Sequence, residues 1–162
     1  MAGLHILKNS HQEAIVKVYT TSPSGETIDI SLQNTLTLPT EVYVTGTALT
    51  DESVDGGYST YTGSHVIITG IWWGAKDGKQ VDILRKIDAV PTYHNHYYLI
   101  GANFYDFKAS GFADRVYANK DITVSFVGGE GHCILRLSKM GWNQKIELPQ
   151  FSVYDNPNVV GS

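Results

Sequence analysis

A single cysteine, Cys133, leaves the chain without any internal disulfide. Within Cys133-Ile134-Leu135-Arg136-Leu137 it shares an alternating face with Leu135 and Leu137, and so reads as a small buried hydrophobe rather than a reactive thiol. Charge is scarce as well. Asp, Glu, Lys and Arg make up 17% of the sequence, the net charge is −4, and no run of Lys or Arg occurs, so the electrostatic footprint of a nucleic-acid binder is missing. No apolar run approaches the roughly 18 residues that a membrane helix needs. Met1 to Lys8 lacks the basic start and long apolar stretch of an export signal. The expectation is a protein that folds in a reducing cytoplasm with neither nucleic acid nor membrane as partner. Helical periodicity is nearly absent: only Ile83 to Val90 has a helical spacing, through Leu84, Ile87 and Val90.

What is plentiful suits strands and turns: Gly, Thr, Ser and Tyr, with β-branched residues in short alternating runs. No composition break divides the 162 residues, which are enough for one domain with a real core. Ala14, Val16 and Val18 alternate with Ile15, Lys17 and Tyr19 as a first strand, ended by the turn Thr20 to Gly25. Ile28 to Leu32 alternates next, with Leu36 and Leu38 carrying the pattern to Pro39, and Val42-Tyr43-Val44 reads as a short strand.

Val66-Ile67-Ile68-Thr69-Gly70-Ile71-Trp72-Trp73 is apolar on both faces. Strict alternation places Val66, Ile68 and Trp72 on one side and Ile67, Ile71 and Trp73 on the other, so the strand demands cover on both. Lys76-Asp77-Gly78-Lys79 then reads as the turn of a hairpin into Gln80 to Arg85. Gly128-Gly129-Glu130-Gly131 likewise reads as a hairpin turn between Ile122-Val124-Phe126 and Cys133-Leu135-Leu137. Tyr93 to Ile100 predicts a further strand, and Asn103 to Asn119 an aromatic, irregular stretch. Roughly eight short strands at such spacings predict an all-β, single-domain antiparallel β-sandwich of jelly-roll type. Its extended termini are expected at about 1–10 and 151–162, and a long surface connection at Thr45 to Ser64.

The chemical constellations are thin. His94 and His96 share a face on a strand, but two imidazoles do not make a metal site and no matching ligand stands at a suitable spacing. Asp51 to Gly57 lacks the ligand pattern of a calcium loop and reads as a solvated acidic loop. No nucleophile elbow or Cys/His signature appears. No metal, cofactor or catalytic residue is therefore expected. The aromatics are another matter: Tyr58, Tyr61, Trp72, Trp73, Tyr93, Tyr97, Tyr98, Phe104, Tyr105 and Phe107 exceed what a core of this size readily buries. Such rings suit a subunit interface or a sugar-stacking platform.

In organisation the chain resembles the small, acidic, β-rich virion proteins of tailed bacteriophages, particularly capsid decoration or head auxiliary proteins. The resemblance spans about residues 12 to 142. It is carried by the polar lead, the Thr/Gly/Ser-rich first half, the Ile-Thr-Gly-Ile-Trp-Trp strand with its Gly-Lys-Gln-Val-Asp-Ile-Leu-Arg continuation, and the run from Ile-Thr-Val-Ser-Phe to Cys-Ile-Leu-Arg-Leu. It implies a non-enzymatic cement protein on the capsid surface, made in the host cytoplasm. Such a protein assembles with itself, commonly as a homotrimer, and binds the major capsid protein. Interface candidates are Ile67, Ile71, Trp72, Trp73, Tyr97 and Tyr98, with Leu4 and Ile6 in the lead and Phe151, Val153 and Tyr154 in the tail. The alternative is a carbohydrate- or receptor-binding domain of a tail fibre or baseplate, for which Tyr58, Tyr61 and Trp73 are the candidate ligand residues.

Overall fold

The structure is a computed structural model that describes residues 2–45, 63–88, 92–111 and 113–145. Its elements are β1 (Ala2–Asn9), β2 (Glu13–Thr20), β3 (Thr27–Ile30), a one-turn helix α1 (Leu32–Leu36), β4 (Glu41–Val42), β5 (His65–Ala75), β6 (Gln80–Asp88), β7 (Thr92–Ile100), β8 (Ala102–Asp106), β9 (Ile122–Val127), β10 (Gly131–Met140) and β11 (Asn143–Gln144). A five-stranded sheet in the order β1-β2-β10-β5-β8 packs on a four-stranded sheet in the order β3-β9-β6-β7, with β11 and β4 forming a small ribbon. All the strand pairs are antiparallel. The chain is thus an all-β sandwich.

Period-two patterning builds the core. Ala14, Val16 and Val18 of β2 lie beside Leu137, Leu135 and Cys133 of β10. These face Ile30, Val81, Ile83, Leu99, Ile122, Val124 and Phe126 of the other sheet in one buried cluster. Each Val, Leu, Ile or Phe of the cluster contributes about 1.5–3 kcal/mol by leaving water.

β5 departs from strict alternation, and the departure resolves its doubly apolar sequence. Arg136 pairs with Gly70 but Leu137 pairs with Ile68, so Thr69 is an extra residue, a β-bulge. The bulge resets the parity. Val66, Ile68, Ile71 and Trp73 all join the core cluster, leaving Ile67 and Trp72 on the outer side. Arg136 pins the bulge: its Nε donates to Thr69 Oγ1 at 3.1 Å and its Nη2 to Thr69 O at 2.8 Å.

Neither expected hairpin forms. β5 lies in one sheet and β6 in the other, as do β9 and β10, so both Gly-containing turns carry the chain across the sandwich. A strand facing its successor across the core has the same alternation as one paired to it edge to edge, so the pattern does not separate the two cases. Helix appears elsewhere than its spacing suggests. Ile83 to Asp88 continues β6, while Leu32–Leu36, read as strand, is α1. Ser31 caps it by accepting from Asn34 N at 3.0 Å, and Leu32 and Leu36 face the core. The lead is not a free arm either: residues 2–9 are the edge strand of the larger sheet, paired with β2. The tail 151–162 and most of the Thr45 to Ser64 connection lie outside the described residues.

Two buried cations lie near one end of the sandwich, on either side of Val66. Arg85, fully buried at the third inward position of β6, donates to Val66 O and Lys120 O, both at 2.9 Å. It thereby ties the smaller sheet to β5 and to the stretch before β9. Lys139 follows Leu137 inward at the end of β10 and pairs with Glu41 at 2.7 Å.

Candidate functional site

The outer face of the larger sheet has the most organised exposed chemistry among the described residues. Strand register lays it out in rows. Gly3, Tyr19, His132 and Gly74 lie side by side, and in the next row come His5, Lys17, Ile134, Trp72 and Phe104. A third row runs Ile15, Arg136, Gly70 and Asp106.

Three glycines let rings lie down on this face. A Cβ on Gly3 would come within 2.4 Å of the Tyr19 ring, one on Gly74 within 2.6 Å of the His132 ring, and one on Gly70 within 2.8 Å of the Trp72 ring. Each ring therefore covers backbone that any larger residue would hold it away from, and aromatic cover of a glycine restores some of the packing the glycine gives up. The tiles are linked. Tyr19 stacks on His5 with centroids 5.5 Å apart, Trp72 stacks on Phe104 at 6.5 Å, and the Arg136 guanidinium sits 5.5 Å over the Trp72 ring. Arg136 is in turn held by Asp106 at 2.6 Å. The Arg136 hydrogen bond, with help from Ala109 N, keeps the Asp106 carboxyl below the usual carboxylate range. Beside Tyr19, an open groove of about 560 Å³ is lined by His5, Lys17, Thr20, His132 and Ile134.

A second cluster surrounds the histidine pair. His96 is the extra residue of a bulge in β7, since Ile83 pairs with Tyr97 but Leu84 with Asn95. Its ring meets His94 edge-on at 5.5 Å, and His94 contacts Tyr117, which holds a left-handed φ of 48°. Asp114 gathers the cluster: Tyr97 Oη donates to it at 2.7 Å, His96 Nε2 lies 3.0 Å away, and Val116 N donates to its other oxygen at 3.0 Å. Burial works against the Asp114 charge, but these donors outweigh it and hold the carboxyl well below its ordinary value. Burial first, then the Asp114 anion, push the Tyr97 phenol far above its own. Burial also pushes the Cys133 thiol up to about 12. Acid–base and nucleophilic chemistry near neutrality need groups tuned the other way. Among the described residues no group of three His, Cys, Asp or Glu side chains is placed to hold a metal ion.

The predicted site residues scatter. Ile71 and Trp73 belong to the chain's own core, with the Trp73 indole N–H donating to Ile100 O at 3.2 Å, so neither offers a face to a partner or a sugar. Ile67 is buried on the outer side. Tyr97 packs against the core and is engaged by Asp114. Leu4 packs on the core edge, while Ile6 is exposed. Tyr98 is exposed on the outer face of the opposite sheet, beside Asp82. Only Trp72 lies in the tiled face. Tyr58, Tyr61, Phe151, Val153 and Tyr154 lie outside the described residues. The sequence reading missed Tyr19, His132, His5 and Arg136. For Tyr19, His132 and Arg136 the signal was present as glycines one strand away, but it becomes visible only once register is known. Comparison with protein-family models, curated proteins and solved structures finds no match to this chain.

Proposed function

We propose that this chain is a non-enzymatic virion structural protein of the capsid decoration kind, which uses the tiled outer face of its larger sheet to dock on the major capsid protein and assembles as a small oligomer. The observation that carries this reading is the set of Tyr19, His132 and Trp72 rings laid over glycines, Gly3 and Gly74 on the neighbouring strands and Gly70 on the same strand as Trp72, with Arg136 over the Trp72 ring. Aromatic and Arg side chains dominate binding energy at protein interfaces, and rings already fixed in place lose little entropy on docking.

Strand order adds support. With β1, β4 and β11 set aside, the larger sheet runs β2-β10-β5-β8 and the smaller β3-β9-β6-β7. That is the first, eighth, third and sixth strands over the second, seventh, fourth and fifth, the nesting of two Greek keys. We read it as a jelly roll, an architecture used by viral capsid and lectin domains. Fold alone does not assign function. The tiled face is what directs the choice.

Co-sedimentation with capsids, together with mass photometry of the free protein, tests the reading. Trp72→Asp is expected to leave the sandwich folded and reduce capsid binding at least tenfold; unchanged binding and assembly would defeat the proposal. A carbohydrate-binding role is the second reading, favoured by the groove beside Tyr19. Glycan binding by a stable monomer, lost in Tyr19→Ala, would transfer the function there.

A further inference from the structure

At the far end of β10 an amine and a carboxyl group meet away from water beside a half-buried carboxamide. Lys139 and Glu41 have side-chain exposures of 0% and 1%. Lys139 Nζ donates to Leu36 O at 2.6 Å, to Glu41 Oε1 at 2.7 Å and to Asn9 Oδ1 at 2.9 Å, and lies 5.1 Å from the centre of the Trp142 ring. Asn9 is held at both ends of its amide, because Nδ2 also donates to Leu36 O at 3.0 Å, which fixes its oxygen toward the lysine. Glu41 accepts from Leu38 N at 2.9 Å and contacts His11 Nδ1 at 2.5 Å. A buried ion pair would explain Lys139 and Glu41. Leu36 O and Asn9 Oδ1 complete the three acceptors of the Lys139 ammonium, and in doing so they set a carboxamide of the edge strand β1 in hydrogen-bond contact with the amine.

We propose that Lys139 and Asn9 join in a self-catalysed intramolecular amide bond, with Glu41 as the proton carrier. The lysine proton passes to Glu41 across their hydrogen bond, leaving an amine and a neutral carboxyl; burial favours these forms, while the hydrogen bonds from Lys139, Leu38 N and His11 oppose them and hold the Glu41 carboxyl below its ordinary value. The Nζ lone pair attacks Asn9 Cγ, and the negative charge moves to Oδ1. Glu41 hands its proton to Nδ2 and takes another from Nζ. The oxyanion collapses, the Cγ–Nδ2 bond breaks and ammonia leaves. One carbon–nitrogen bond has formed, one has broken, Glu41 ends protonated, and no oxidant or cofactor is consumed. Holding the two groups in contact replaces a collision with an intramolecular step, for which effective molarities of roughly 10⁵–10⁸ M are attainable.

The product would staple edge strand β1 to central strand β10 between positions 130 residues apart in the chain. It would restrict the unfolded chain as a disulfide does, in a protein whose lone cysteine rules one out.

Intact-mass spectrometry of the denatured full chain decides the matter. The expected mass is lower than that of the sequence by one ammonia, and proteolysis should release a branched peptide containing both Asn9 and Lys139. A succinimide at Asn9-Ser10 would show the same loss, but it is cleaved by hydroxylamine and gives no branched peptide; finding it instead would overturn the proposal. Asn9→Asp should lose water in place of ammonia. The near-isosteric Glu41→Gln, checked as folded by circular dichroism, should retain its full mass. Folded wild-type protein at full sequence mass after prolonged incubation would equally refute the link.

Discussion

On the outer face of the four-stranded sheet, polar side chains along β3, β9 and β6 satisfy one another, with Tyr98 and Ile100 exposed at the β7 edge: Thr123 donates to Asp29 at 2.8 Å, Gln80 to Asp82 at 2.9 Å, and Thr27 Oγ1 lies 3.4 Å from Ser125 Oγ. The matching rows on the five-stranded sheet hold Tyr19, His132, Ile134, Trp72 and Phe104, with Arg136 among them. Both faces stand over one core, so burial beneath them is equivalent and the contrast lies in what each presents outward. A surface that needs only water can be built from hydroxyls and carboxylates. Rings laid flat on glycine cost strand propensity at Gly3, Gly70 and Gly74, and that cost is offset when something docks against them.

The largest perturbation should erase the contrast. Leu135→Ala, in the core beneath both faces, is expected to destabilise the protein by about 2–5 kcal/mol, with both faces lost in one urea transition. Next comes a test confined to the tiles. Gly70→Val must push the Trp72 ring aside, for an expected loss of about 1–3 kcal/mol. Ser125→Ala on the polar face should stay within about 0.5 kcal/mol. Equal effects would mean the rings are not locked. Trp72→Ala removes the Phe104 stack and the Arg136 cation–π contact, an expected cost of about 1 kcal/mol measured by denaturation, with its main consequence in particle binding.

The smallest difference is one of sign, readable in thermal melts across acid pH. Burial raises the Asp82 carboxyl above its ordinary value, against the pull of the Gln80 hydrogen bond. The folded state therefore holds the Asp82 proton to higher pH than the unfolded chain does, and stability is lost as pH rises through that window. Asp82→Asn should slightly raise the neutral-pH melting temperature. Asp106, lowered by Arg136, behaves oppositely. Its stabilisation is present above the ordinary carboxylate value and lost as the pH falls below it, so Asp106→Asn should lower the neutral-pH melting temperature and flatten the acid limb.

The strands of the core were legible wherever alternation is unbroken, as in Ala14-Val16-Val18 and Cys133-Leu135-Leu137. The same parity, carried one step further, places Lys139 inward, although a lysine at a strand end looks solvated when read by residue type. The bulges at Thr69 and His96 were not legible, since one extra residue flips every later side chain and leaves no mark of its own in composition. Sheet membership was hidden for a different reason: a tight turn followed by an alternating strand fits both a hairpin and a crossing of the sandwich. Of the candidate site Trp72 was found, and Phe104 as one of the surplus aromatics; Tyr19 and His132 were missed because each lies far in sequence from the glycine it covers.

The three tryptophans occupy three distinct surroundings. Trp73 is enclosed in the core with its N–H bound to a carbonyl, Trp142 is buried beside Lys139 Nζ with its N–H donating to Thr37 Oγ1 at 2.8 Å, and Trp72 is half-buried in the outer face. The molecule thus carries its own set of optical probes. Emission from Trp72 should shift to the blue when that face is covered, whereas Trp73 and Trp142 should keep their spectra until the sandwich itself opens. Single-tryptophan versions would let docking and unfolding be followed separately in one sample, without an added label.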